Sequence, residues 1–290
     1  MRPTDVYVGY RHLYDLSAPV QDPASAPLGA RDFVLAGGLT GAGTSSDQVI
    51  VANDRDSAVK ATLPNAQHDA QAATVGDHVY VFGGGQFSQY SHILAFNPAS
   101  SNAVTTAGAL PTAASDVAVA GDSRTAYVVG GFDGVNWLDT VLAYSPGAAV
   151  RVVARLPVAL RYASAAVVDG ELLIAGGSTE TGVSDVIYRV DRKSGSVSTL
   201  GHLPAGLTHA GAGVIGTTMY LVGGRRDLVT DRTADVLSID PTTGKVHLAG
   251  ILPQPLSDAA VVSLPGRLIV AGGATRAGTQ ASVGELVPTS

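Results

Sequence analysis

The sequence predicts an all-β fold built from a unit that recurs every 46 to 49 residues. Glycine pairs mark the repeat, and from the second pair onward a Leu-Pro pair places its proline 19 residues before the glycines. No stretch shows sustained helical periodicity, whereas short apolar runs alternate with turn residues. The glycine pairs begin at Gly37, Gly83, Gly130, Gly176, Gly223 and Gly272.

Each unit divides into four short strands separated by turns. In the fourth unit the strands are "YASAAVV", "ELLIAGG", "DVIYRVD" and "SVSTLG". The first strand is rich in alanine, as strands that converge on a central axis require, and the second is bulkier. A repeat of this length made of four strands is typical of a β-propeller.

Six such units, each with a glycine pair closing its second strand, resemble kelch repeats. Phe96 and Tyr144 occupy the third-strand position where such repeats carry an aromatic residue, and Trp137, the only tryptophan, falls in a loop. The resemblance covers essentially the whole chain. It implies a six-bladed kelch-type propeller with four antiparallel strands per blade, of the kind that bacteria export.

Six units account for the whole chain, so residues 1–290 are predicted to form a single domain. The last unit, within residues 254–290, ends after the strand Ala281–Val287 and lacks a fourth strand. The N-terminal segment Val6–Leu16 precedes the first unit, where other units have their fourth strand. We therefore expect this segment to pair beside Ala281–Val287 and to complete the sixth blade.

Composition excludes several classes of function. The net charge is −6 and no polybasic cluster occurs, which argues against a nucleic-acid partner. No apolar run approaches the roughly 20 residues that a membrane-spanning helix needs. The chain has no cysteine and no recognisable metal or cofactor motif, so no metal, cofactor or disulfide is expected. The protein is expected to be a monomer.

Polar and ionisable residues recur at the fourth and fifth positions after each landmark proline, and Asp22-Pro23 is the equivalent pair in the first unit. By the propeller resemblance, these positions lie at the mouth of the central channel. They could bind a ligand, or they could satisfy exposed backbone groups. The ligand-binding candidates are Asp22, His68, Asp69, Asp116, Arg161, Tyr162, Thr208, His209 and Asp258.

The loops that follow the glycine pairs should lie on the same face as the mouth, because successive strands run antiparallel. They vary in length, and variable loops on a rigid scaffold commonly carry binding residues. Tyr90 and Trp137 stand among amides and acids there, a composition suited to stacking on sugars or peptides. Arg225 could contact an anionic group.

No catalytic motif is present, which favours a non-catalytic binding or sensor propeller for a glycan, peptide or protein ligand. One alternative is a sugar-modifying enzyme similar to the kelch sialic acid mutarotase, with acid and base groups at the channel mouth. Another is a scaffold in a membrane assembly. The N-terminus lacks the apolar segment of a signal peptide. The kelch resemblance nevertheless implies an extracellular, periplasmic or cell-surface location.

Overall fold

The computed structural model of the chain describes residues 7–99 and 101–289. Within these ranges the chain forms strands, turns and loops without any helix, so the all-β prediction is confirmed. It follows that the described residues offer no helix of the length and apolarity needed to cross a membrane.

Most of the described chain lies in strands. In chain order they are β1 (Val8–Asp15), β2 (Val20–Gln21), β3 (Ala24–Leu28), β4 (Asp32–Ala36), β5 (Leu39–Thr40), β6 (Ser46–Ala52), β7 (Ser57–Val75), β8 (His78–Gly85), β9 (His92–Asn97), β10 (Ser101–Ala109), β11 (Ala118–Gly121), β12 (Ala126–Val129), β13 (Thr140–Tyr144), β14 (Arg151–Arg155) and β15 (Ser164–Val168). They continue with β16 (Glu171–Ala175), β17 (Ser178–Thr179), β18 (Gly182–Val183), β19 (Val186–Val190), β20 (Val197–His202), β21 (Gly211–Ile215), β22 (Thr218–Val222), β23 (Asp235–Ile239), β24 (Val246–Ile251), β25 (Ala260–Leu264), β26 (Arg267–Ala271), β27 (Ala274–Thr275), β28 (Gly278–Thr279) and β29 (Ser282–Pro288).

The larger sheets are antiparallel and follow the repeat. In the described ranges, four of them have four strands, in the orders β11-β12-β13-β14, β15-β16-β19-β20, β21-β22-β23-β24 and β1-β29-β26-β25. A fifth sheet has seven strands, in the order β10-β9-β8-β7-β6-β4-β3. Short two-stranded ladders, β2-β5, β17-β18 and β27-β28, accompany them in the loops.

The seven-stranded sheet differs from the prediction of separate short strands. The 19 residues of β7 run through two repeat units, pairing with β6 before residue 68 and with β8 from His68 onward. The segment around residue 67 stays extended because Gln67 pairs with Ser46, at the place where the chain turns in the other units. The end of one unit and the start of the next are therefore one continuous strand.

The innermost strands close a ring around a central channel. Among the described strands, β3, β7, β11, β15, β21 and β25 each contact the next, and β25 contacts β3. Buried side chains fill the spaces between neighbouring sheets: Leu172 and Ile174 pack with Val141, and Phe33 packs with Ile269 where the last sheet meets the first. Each such side chain contributes roughly 1.5–3 kcal/mol by leaving water. The sheets thus form a β-propeller arrangement.

The two ends of the described chain lie side by side. Strand β1 pairs antiparallel with β29, from Val8 opposite Pro288 to Asp15 opposite Ser282. The buried Glu285 of β29 accepts a hydrogen bond of 2.8 Å from Arg11 Nε on one side and one of 3.0 Å from Arg267 Nη1 on the other. Segments Val6–Leu16 and Ala281–Val287 are therefore adjacent, except for Val6, which lies outside the described residues.

The glycine pairs bring consecutive units together on one face. Gly83 has a φ of +61°, and a Cβ there would lie 2.2 Å from the carbonyl oxygen of Ala114, which is backbone and cannot move aside. Gly84 N–H donates to that same carbonyl at 2.8 Å. Because Ala114 follows a Leu-Pro pair, the loops after Leu-Pro and those after the glycines share one face, as the strand order predicts.

Candidate functional site

One residue per unit adopts a left-handed backbone where the chain enters the innermost strand. We call this set the mouth ring: Asp22, Asp69, Asp116, Tyr162, His209 and Asp258, with φ between +50° and +60°. In the described ranges the only other non-glycine residue with positive φ is Asp169. Aspartate and histidine are enriched in this conformation, which accounts for part of their recurrence.

Backbone hydrogen bonds join the mouth ring from one unit to the next. Asp116 N–H donates to Asp69 C=O at 2.9 Å, and Tyr162 N–H to Asp116 C=O at 2.9 Å. His209 N–H donates to Tyr162 C=O and Asp258 N–H donates to His209 C=O in the same way, and Asp22 N–H donates to Asp258 C=O at 2.7 Å. These bonds pair backbone groups around the mouth without using the side chains of the ring.

The side chains of the mouth ring line one cavity of about 100 Å³, which leads into a channel of about 220 Å³. The wall just below the ring consists mainly of small apolar residues. It is formed by Ser25, Ala72, Val119, Ala165, Ala212 and Val261. The site therefore has a polar entrance with an apolar wall beneath it, and its volume suits several water molecules or a small chemical group.

Four neighbouring residues of the mouth ring are aspartates, and the pKa values of two of them are shifted in opposite directions. Burial raises the pKa of Asp22 well above its usual range, and the charge of Asp69 beside it adds to the rise. Burial also opposes ionisation of Asp69, but hydrogen bonding from Asp22 and the nearby His68 lower its pKa. Asp22 therefore keeps its proton to a higher pH than Asp69 does.

Arginines neutralise the two outer aspartates of this group. Arg161 forms an ion pair with Asp116, whose side chain is buried. Burial and the charge of Asp69 still raise the pKa of Asp116 to about 6, although Arg161 opposes the rise. Arg225 forms the corresponding pair with Asp258, which also accepts a hydrogen bond of 2.5 Å from Ser257 Oγ.

His209 is neutral and faces the cavity. Its ring stacks on Tyr162 with centroids 3.8 Å apart, and Nδ1 lies 3.1 Å from Thr208 Oγ1. Burial lowers the pKa of His209 to about 4, so the imidazole is uncharged near neutral pH. The distance from Nε2 to Asp258 Oδ1 is 3.9 Å, too long for a hydrogen bond. Burial raises the pKa of Tyr162, which keeps its hydroxyl protonated.

The candidates at the fourth position lie behind the mouth ring and contact it. His68 Nε2 is 3.4 Å from Asp69 Oδ2, and its Nδ1 is 2.9 Å from Ser45 Oγ. Arg161 and Thr208 contact the ring through Asp116 and His209 as described above. These residues position ring side chains and do not line the cavity themselves.

The register of the first unit needs a correction. The glycine spacing predicts Asp22-Pro23 at the fourth and fifth positions, whereas the structure gives Asp22 the backbone conformation and hydrogen bond of the fifth. The turn from β3 to β4 has three residues, 29–31, whereas the turn from β7 to β8 has two. In the first unit, counting back from the glycine pair therefore gives a position one residue beyond the true equivalent. Proline holds φ near −65° and cannot take the left-handed position.

The outer-loop candidates have different surroundings. Trp137 and Phe132 pack on the Arg161 guanidinium, with centroids 4.9 Å and 4.5 Å from it, so both hold a mouth residue in place. Arg225 forms an ion pair with Asp258 at the mouth. Tyr90 instead packs on His92 and hydrogen-bonds Ala66 O at 3.5 Å, and none of its contacts in the described chain reaches the mouth ring.

Two polar residues that line the cavity, Ser25 and Gln71, are not among the sequence-predicted candidates. Ser257, which holds the fourth position of its unit, joins Arg232 and Asp258 through its hydroxyl. The inward orientation of Ser25 and Gln71 follows from strand alternation, but only once the register is known. Within the described chain, no three His, Cys, Asp or Glu side chains are placed to hold a metal ion.

Comparison with known proteins identifies the repeat and the fold. The family model for the kelch motif matches residues 206–252. Kelch-like protein 35 of Mus musculus is 28% identical over 158 residues, which are 54% of this chain and 26% of that protein. The chain therefore spans about a quarter of the length of this relative.

A solved structure, "Structure of YjhT", shares the overall architecture. It superposes with a TM-score of 0.80 over 93% of this chain and 95% of its own, at 16% sequence identity. This likeness shows a common fold. Together with the kelch motif match, it shows that the chain is a kelch-repeat β-propeller.

Proposed function

We propose that the protein is a non-catalytic binding propeller whose ligand, a glycan, peptide or protein, is held on the face that carries the mouth ring. The convergence of six mouth-ring side chains on one cavity is the observation that carries this proposal. The backbone bonds around the ring do not use these side chains, and Asp22 and Asp69 line the cavity without an arginine partner in the described chain, so they are available to a ligand. The kelch relative and the shared fold support a binding role.

A binding screen tests the proposal. Glycan and peptide arrays are probed with the purified protein, and any hit is titrated against Asp69→Asn and His209→Asn, because asparagine accepts the left-handed backbone of both positions. Asp169→Asn is the matched control, since Asp169 has the same backbone conformation at the other end of β15. Ring variants should weaken binding at least tenfold, roughly the effect of losing one buried polar contact. Equal affinity in all variants would remove the mouth from consideration.

The raised pKa of Asp22 beside the lowered pKa of Asp69 favours one second candidate, a sugar-modifying enzyme similar to the kelch sialic acid mutarotase. In such a reaction Asp69 would take the proton of the anomeric hydroxyl while Asp22 protonates the ring oxygen as the ring C–O bond breaks. Closure on the opposite face returns both protons, so the reaction is balanced. NMR of anomer exchange in reducing sugars tests this: wild type should accelerate exchange and Asp22→Asn should not.

The proposal also includes six blades, with β7 shared by two of them and β1 completing the last, and one domain over residues 1–290. Deleting residues 1–16 should expose the edge of β29 and leave gaps where Val8 and Leu16 were buried. A loss of about 5 kcal/mol is expected, lowering Tm by roughly 10 °C and promoting aggregation. A truncated protein that stays monomeric and melts within about 2 °C of the full chain would contradict this closure.

We further propose that the protein acts outside the bacterial cytoplasm, in the periplasm, on the cell surface or extracellularly. The kelch resemblance supports this location. Fractionation of cells that express the natural gene, followed by immunoblotting, tests it: recovery in the cytoplasmic fraction alone would contradict it.

A further inference from the structure

We propose that the mouth ring binds the ammonium group of a lysine side chain, presented by a protein partner whose apolar residues dock on the surrounding loop tips. This inference rests on the proposed function, because it names the chemistry of the ligand at the same site. Three features of the mouth face carry it: an unsatisfied acceptor, a carboxyl pair without an arginine or lysine partner, and a set of exposed apolar side chains.

The unsatisfied acceptor is His209 Nε2. The side chain is only 10% exposed, and Nε2 faces the cavity without a hydrogen-bond partner among the described residues. Thr208 Oγ1 has two acceptors within reach, Tyr162 O at 3.4 Å and Ser178 Oγ at 2.9 Å, and when it donates to either one it accepts from His209 Nδ1–H. In that tautomer Nε2 carries a lone pair, which a ligand with a donor group would satisfy.

The carboxyl pair without an arginine or lysine partner is Asp22 and Asp69. Asp116 and Asp258 have arginine partners, whereas Asp69 has His68 at 3.4 Å, and no arginine or lysine forms an ion pair with Asp22 or Asp69 in the described chain. Burial and the charge of Asp69 raise the pKa of Asp22, as expected for two buried carboxyls that lie close together. An ammonium group would supply both the missing charge and three N–H donors.

Exposed apolar side chains lie on loops of the same face. Phe87, Val135 and Val229 are 96%, 82% and 68% exposed, and each lies on a loop that follows a glycine pair. A Cβ on Gly134 would lie 2.6 Å from Gln89 Oε1, so the loops of Phe87 and Val135 are direct neighbours. Apolar tips around a buried polar pocket are typical of a protein-docking surface, in which a central anchor is shielded by its surroundings.

These features together distinguish a lysine from other ligands. A sugar would satisfy the acceptors but would bring no positive charge to Asp22 and Asp69, and it would leave the apolar tips uncovered. A metal ion would need three or more ligands, which the described residues do not place together. A compact ammonium on a slender stem also suits a cavity of about 100 Å³ better than a planar guanidinium does.

The experiment uses two matched pools of acetylated nonapeptides with aromatic or aliphatic residues flanking a central lysine or a central Nε-acetyl-lysine. We expect hits from the lysine pool only, with affinity falling at least about tenfold on acetylation or in Asp69→Asn. Phe87→Ser and Val135→Ser should weaken the same peptides, whereas Asp169→Asn and Val152→Ser, on the exposed face of β14, should not.

A second measurement keeps the test independent of variant folding. Butylammonium, which mimics the lysine side chain, should compete with the peptides on wild-type protein, and 1-butanol should not. Equal binding of both pools, no hits from either, or equal competition by the two probes would overturn the inference. Glycan binding that needs Asp69 but ignores butylammonium would leave the proposed function intact and refute the lysine.

Discussion

Both ends of the central channel contain non-glycine residues with a left-handed backbone, but these residues have different roles at the two ends. At the mouth, six left-handed residues point their side chains at one cavity. At the far end, by which we mean the turns between first and second strands, Asp169 has the same conformation but sits in a two-residue turn with Gly170. A left-handed aspartate is therefore a common feature of turns and does not by itself indicate a site. The mouth is a candidate site because six left-handed residues converge on one cavity there.

The largest expected difference between the ends concerns ion pairs. Arg161→Met leaves the buried Asp116 without its cation and should cost about 3 kcal/mol at pH 7. Arg192→Met breaks the pair with Asp122 at the far end, where the carboxyl is 35% exposed, and should cost less than about 1 kcal/mol. Urea unfolding of both variants measures the difference, and equal losses would mean that the mouth is no more desolvated than the far end.

A second prediction separates two opposing proton linkages at the mouth. The folded pKa of Asp116 is raised to about 6, so its contribution to stability is present at low pH and is lost as pH rises from about 4 to 6. The folded pKa of His209 is lowered to about 4, so its contribution is present above about 6.5 and is lost as pH falls toward 4. In the native protein these two contributions offset each other between pH 4 and 6.

Single substitutions should reveal each linkage. His209→Asn removes the histidine contribution, so stability should rise by roughly 2 kcal/mol between pH 7 and pH 4.5 relative to wild type. Asp116→Asn should have the opposite effect, with stability falling over the same range. Thermal melts at the two pH values measure both, and Asp169→Asn at the far end is the control that should follow wild type. Parallel pH profiles for the two mouth variants would contradict the assigned shifts.

The third prediction concerns what the two ends share. A left-handed backbone disfavours alanine relative to glycine because of Cβ contacts with the carbonyl group. At both Asp69 and Asp169, the alanine variant should therefore be about 1 kcal/mol less stable than the glycine variant. Comparing alanine with glycine cancels the loss of the carboxyl. A difference at one end only would show that the two backbones are not equivalent.

Much of the architecture could be predicted from the sequence because the repeat is set by local requirements. Gly83 is needed where a side chain would overlap Ala114 O, and that requirement recurs in every unit at intervals of 46 to 49 residues. The extended passage through β7 could not be predicted, since it depends on the pairing of Gln67 with Ser46 across two units. The one-residue error at Asp22 arose from a longer turn that leaves no mark in the glycine spacing.

The candidate site was predictable in position but not in its interactions. Recurrence after Leu-Pro pointed to Asp69, Asp116 and His209, which line the cavity together. Which carboxyls are paired depends on side chains from neighbouring units, such as Arg161 reaching back to Asp116 across 45 positions. Tyr90 and Trp137 looked alike in sequence, yet only Trp137 packs against a residue that contacts the ring. Such contacts follow from the arrangement of sheets, which the spacing alone does not contain.

The smallest expected effect is spectroscopic. Trp137 is the only tryptophan in the chain, and the Arg161 guanidinium lies 4.9 Å from its ring. Asp116→Asn removes the ion pair that orients Arg161, so the guanidinium should move and the emission of Trp137 should change in wavelength or intensity. Asp122→Asn frees Arg192 at the far end in the same way and should leave the emission unchanged. Identical spectra for wild type and Asp116→Asn, with both proteins folded by circular dichroism, would show that Arg161 is held by the aromatic rings Phe132 and Trp137 alone.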